Sequence, residues 1–76
     1  MSSFAINGRI VPDGPEDFIA LVHARPAAEP GSSVSETRRQ RVHANEDARM
    51  RVLELVATLA REIHRRGDHV SEVEIE

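Results

Sequence analysis

The chain has 76 residues, no cysteine and a formal net charge of −3. So short a chain makes one small domain with a thin stability margin, and without cysteine neither a disulfide nor a thiolate metal site can reinforce it. Self-association or a partner protein is then the favoured remedy, and the absence of cysteine fits a reducing cytoplasm.

The opening Phe4-Ala5-Ile6-Asn7-Gly8-Arg9-Ile10-Val11 sets Asn-Gly between two short β-favouring runs. That is the pattern of a hairpin with a type I′ turn, in which Phe4 faces Val11 and Ala5 faces Ile10. Next, Asp13 or Gly14 can cap a helix, Pro15 suits its first position, and Glu16 and Asp17 complement its dipole. Phe18, Leu21 and Val22 follow at i, i+3, i+4, and Pro26 stops the segment, so a short helix is expected over residues 15–24. Residues 25–33 carry Pro26, Pro30 and Gly31 with no large apolar side chain and read as a flexible loop.

Ser33 with Glu36 forms a capping-box pattern, and nothing breaks the chain until Gly67 behind Arg65 and Arg66. The expectation is a long amphipathic helix over 34–66, roughly 33 residues or about 50 Å. Advancing about 100° per residue from Val52 gathers Val56, Leu59 and Ile63 on one line, flanked by Leu55 and Leu53, in an apolar arc about 160° wide. A hairpin and one short helix look too small for so wide an arc, so something else is expected to cover the rest; the alternative is that the domain's own hairpin, short helix and tail wrap it completely, giving a monomer with an ordinary core. Residues 67–76 alternate acidic and β-branched side chains in their last four positions and read either as a terminal edge strand or as a frayed acidic tail. The expected fold is therefore a single mainly α domain with a minor β component.

Charge is uneven: residues 1–34 sum to −2, residues 35–66 to +3 and residues 67–76 to −4. All basic residues are arginine, and Arg38, Arg39 and Arg41 cluster beside Gln40. On a helix such a run steers an acidic partner or contacts phosphates, although a solvated face is the commoner meaning. The start Met1–Arg9 lacks the basic-then-apolar pattern of a leader, and no run approaches the roughly 18 apolar residues that span a bilayer. The expectation is a cytoplasmic protein that does not engage membranes.

Catalytic chemistry is not legible. His23, His43, His64 and His69 are not spaced as ligands, the paired acids Glu16-Asp17 and Glu46-Asp47 lack an apolar pocket, and there is no nucleophile motif or phosphate loop. Neither enzymatic activity, a metal nor a cofactor is expected. In overall character, a tiny Arg-rich chain without catalytic residues resembles the small regulatory partner proteins of bacterial mobile elements and phages, such as the quorum-sensing antiactivators of the TraM and QseM kind. That resemblance implies regulation of transcription by sequestering a LuxR-type transcription factor, and it carries over no particular residue; phage anti-CRISPR inhibitors share the same look.

The reading that follows is a non-catalytic protein–protein interaction module. Val52, Leu53, Leu55, Val56, Leu59 and Ile63 would bury against a larger partner, such as a transcriptional regulator, while Arg38, Arg39, Arg41 and Arg49 orient it. The alternatives are a homodimeric scaffold of two packed long helices and, less favoured, a nucleic-acid-binding protein using Arg38–Arg41.

Overall fold

The computed structural model describes residues 2–28, 35–43 and 47–76. They form, in order, β1 (Ser3–Asp13), β2 (Asp17–Pro26), β3 (Glu36–His43), α1 (Ala48–Arg65) and β4 (His69–Ile75). The strands make one sheet in the order β3-β2-β1-β4, antiparallel between β1 and β2 and between β2 and β3, and parallel between β1 and β4. Strand accounts for 55% and helix for 27% of the described residues, so the mainly α expectation is overturned in favour of a sheet carrying one helix.

The Asn7-Gly8 hairpin is not formed; β1 runs straight through both residues. A type I′ turn needs positive φ at both central positions. Among the described residues, Gly14 and Gly67 are the ones with positive φ, and the turn into β2 falls at Gly14, whose φ is +86°. Gly8 instead faces α1, where a Cβ would stand 2.7 Å from Val52 Cγ1 and 3.4 Å from Val56 Cγ2. Glycine is needed there for closeness of approach.

The short helix expected over 15–24 is β2. Phe18-Ile19-Ala20-Leu21-Val22 satisfies a helical stripe and a strand alternation equally well, and short apolar runs are ambiguous between the two periods. Tertiary pairing decides: Ala20, Val22 and Ala24 turn inward with full burial, while Ile19, Leu21 and His23 turn to the other face. Arg25 and Pro26 accordingly belong to β2 rather than to the loop, and Ser33 and Val34, the expected helix start, lie outside the described residues.

The long helix over 34–66 divides. Residues 36–43 form β3, an edge strand that buries one large apolar residue, Val42, so it shows no alternation of apolar and polar residues. Asp47 caps α1, its side chain accepting from the Met50 backbone N–H at 3.2 Å. At the other end, Asp68 N–H donates to Ile63 O and Gly67 N–H to His64 O, the paired bonds of a Schellman stop, with Gly67 at φ +91°. The acidic segment 67–76 continues as β4, pairing with β1 through a one-residue irregularity at Ser71.

α1 lies across one face of the sheet. Val52, Val56, Leu59 and Ile63 pack against Phe4 and Ile6 of β1, Ala20, Val22 and Ala24 of β2, and Val42 of β3. Alanines at two of the β2 positions let the helix sit low, as Gly8 does on β1. The Cα envelope measures 41 × 23 × 15 Å, and its shortest dimension has room for one helix against one sheet.

Electrostatics hold β3 to this body. Glu36 bonds Arg66, beyond the end of α1, at 2.8 Å, and Arg38 bonds Glu62 on α1 at 3.0 Å while lying 3.6 Å from Glu36. Arg66 also sits 5.6 Å from the centroid of the Phe4 ring, linking the cluster to the core. Hydrogen bonding to Arg66 holds the Glu36 carboxyl below its ordinary value of 4.5, against a smaller opposing effect of burial. Because the folded value is the lower one, this contribution to stability is fully present above pH 4.5 and is lost as pH falls through the folded value.

Two predictions follow from the packing and the ion cluster. Gly8→Ala should destabilise the fold by about 1–3 kcal/mol through overpacking, and Val52→Ala in the same chain should recover part of that loss; strictly additive effects in urea denaturation would refute the contact. Glu36→Gln should lower stability at neutral pH and flatten the acid limb below pH 4.5, so profiles of the two proteins that stay parallel would remove the cluster from the account.

Candidate functional site

The residues that would have formed the docking face of the long helix are divided by the fold. Val52, Val56, Leu59 and Ile63 are 0%, 8%, 1% and 0% exposed beneath the sheet, so the protein's own strands cover the arc that the sequence leaves uncovered. Leu55 is half-buried at the core margin, whereas Leu53 stays 40% exposed on the outer side of α1 near Met50, and Arg49 is exposed one residue into the helix. Arg38, Arg39 and Arg41 lie on β3, where strand alternation separates them. Arg38 turns to the helix side to reach Glu62, and Arg39 and Arg41 take the opposite face.

Among the described residues, no layer lies over that opposite face. Its centre comes from the outward residues of β1 and β2: Val11 is paired with Ile19, Arg9 with Leu21, Asn7 with His23 and Ala5 with Arg25. Val11, Ile19 and Leu21 are all partly exposed and form a compact aliphatic patch. Beside it lies a shallow concavity of about 410 Å³, bordered by Asn7, Arg9, Leu21, His23, Arg25, Thr37, Glu72 and Glu74. The same face therefore offers an apolar half and a polar half.

Charge on it runs across the strands. The β3 side carries Arg39 and Arg41, β2 adds Arg25, and the β4 side carries Glu72 and Glu74. Arg41 bonds Asp13 at 2.9 Å and His43 meets Asp17 at 3.2 Å, which settles the far end of the β1–β2 ribbon. Among the described residues, no ion pair engages Arg9, Arg25 or Arg39. The basic run is thus split between two faces with Arg38 and Arg41 already held by carboxylates, a poorer track for phosphates than a continuous helical stripe.

Other polar pairs on the surface serve strand alignment. His23 Nδ1 lies 3.1 Å from Thr37 Oγ1, its own ladder partner on β3, and Ser3 Oγ lies 2.9 Å from His69 Nε2, also its ladder partner. A Ser–His contact becomes a nucleophile only when a third group orients the imidazole and donors await the developing oxyanion. Among the described residues no hydrogen bond holds the second ring nitrogen of His69, and no group of three or more His, Cys, Asp or Glu is placed to hold a metal ion. Among the described residues, no helix is long and apolar enough to cross a membrane.

Sequence reasoning missed Val11, Ile19, Leu21, His23, Arg25, Glu72 and Glu74. The available signal was the period-2 pattern of residues 19–25 and 72–76, masked in the first case by an equally good helical period. No protein-family model, curated protein or solved structure matches the chain.

Proposed function

We propose that this protein is a non-catalytic protein–protein interaction module, a small cytoplasmic regulator, and that it works through the uncovered face of the sheet rather than through the buried stripe of α1. The observation that carries this reading is the Val11, Ile19 and Leu21 patch, bordered by Arg9 and Arg39. Aliphatic side chains ringed by arginine have the composition of an interface centre, and a face formed by regular strands is held rigid before binding, which lowers the ordering cost.

A larger protein, such as a transcriptional regulator blocked by occlusion of its own contact surface, is the partner this reading favours in the cell. The arginines then steer the encounter, and the aliphatic patch supplies the buried area. Docking through Leu53 and Met50 on α1 is the weaker choice, because two exposed apolar residues there are backed by Glu54, Arg61 and other solvated side chains.

Ile19→Glu puts an unpaired charge at the centre of the patch and should weaken partner capture at least about tenfold, a loss of about 1.4 kcal/mol. Met50→Glu, on the outer side of α1, should leave capture unchanged. The check is a pull-down from source-cell extract with both variants verified as folded by circular dichroism; the reverse order of effects would return the function to the helix.

A further inference from the structure

We infer that the uncovered sheet face binds a second copy of the same chain, as a two-fold dimer whose axis lies between β1 and β2 and runs along the strands. The inference rests on the reading of this face as an interaction surface and gives it a second occupant, which covers the face when the larger partner is absent and is displaced by it. The argument is one of symmetry and charge. A sheet ordered β3-β2-β1-β4 with a basic β3 side and an acidic β4 side can meet its copy through a two-fold axis in only a few ways.

Edge-to-edge pairing sets β3 against β3, bringing Arg39 and Arg41 of the two copies together, or β4 against β4, doing the same with Glu72 and Glu74. Like charges directly opposed are destabilising, so both edges are protected against that pairing. Face-to-face stacking about an axis across the strands again lays β3 over β3. Face-to-face stacking about an axis along the strands lays β3 over β4 of the copy, twice, and unlike charges meet at both rims.

In that last arrangement each residue of β1 faces the copy of its own ladder partner on β2. Val11 then meets Ile19 of the copy twice, Leu21 lies under the aliphatic stem of Arg9 of the copy, and Asp13 and Asp17, which come level at the end of the ribbon, each keep their own partner, Arg41 and His43. Ala5 meets Arg25 of the copy, its small side chain leaving space for the guanidinium beside Glu72, which also pairs with Ala5 in the ladder. Asn7 meets His23 of the copy, donor and acceptor groups on both sides. Arg39 lies one pleat beyond Thr37, the residue level with Glu74 through Asn7 and His23, and so falls within arginine reach of Glu74 across the interface. Two sheets packed in this sense stand about 10 Å apart with strands about 30° from parallel.

Sedimentation equilibrium over a hundredfold concentration range reads the mass of the full chain, 8.5 kDa as a monomer. The expected result is a reversible monomer–dimer equilibrium. Arg39→Glu and Glu74→Arg, each alone, should weaken the dimer about tenfold or more by opposing like charges at both rims, and mixing the two variants one to one should restore it, because each copy then supplies the complement the other needs. Within one chain these two residues are separated by the width of the sheet, so mutual rescue on mixing cannot arise from repair of the monomer.

Absence of rescue overturns this geometry, and a mass that climbs beyond the dimer overturns it in favour of head-to-tail pairing of β3 with β4. A wild type that stays monomeric throughout overturns self-association. In that event, loss of partner capture by Ile19→Glu leaves the interaction face standing, whereas unchanged capture removes the reading on which the dimer rests.

Discussion

The close seating of α1 on the sheet at Gly8 is the constraint on which the rest of the architecture depends. A Cβ at this position would stand 2.7 Å from Val52, inside any tolerable carbon–carbon separation, so the helix can descend only because β1 offers bare backbone there. With Ala20 and Ala24 making similar room on β2, Val52, Leu59 and Ile63 reach full burial against a thin sheet. A domain of this size has few apolar side chains to spend, and raising the helix by one methyl group would open gaps along its whole contact line.

Once the helix is seated, its connections determine the edges. β3 precedes α1 and β4 follows it, and they occupy opposite edges of the sheet, so the chain crosses the entire face within one helix. β3 contributes one buried aliphatic residue, Val42, and depends otherwise on backbone pairing with β2 and on the Glu36, Arg38, Glu62 and Arg66 cluster. The acid-sensitive carboxylate of Glu36 therefore sits where the sheet has least apolar support. Both edges are charged, β3 positively and β4 negatively, which deters pairing of either with its own kind.

Covering one face with α1 leaves the other face open among the described residues, and this open face carries the proposed function. The apolar patch of Val11, Ile19 and Leu21 is too small to explain the fold and is not needed for the core. Its value lies in position: it is held by the two central strands, with basic groups toward one rim and carboxylates toward the other. On the proposed reading, such a polarised face would select partners by orientation as well as by affinity.

The sequence alone located one end of the helix and not the other. Gly67 lies at a chemically readable helix stop, whereas the start at Asp47 was hidden behind the capping-box pattern of Ser33 and Glu36; the apolar stripe of Val52, Val56, Leu59 and Ile63 is helical by period, and the alternation after Gly67 allows a strand. It also indicated that this stripe must be covered. What covers it was decided by tertiary structure, because strand pairing is non-local: Phe18 to Val22 fits two periods, the Arg-rich edge strand β3 carries almost no apolar signal, and Gly8 resembles a turn residue until the helix above it is known. Which face remains open, and hence which side chains stand together on it, follows only from the order in which distant strands pair, and no local pattern encodes that order.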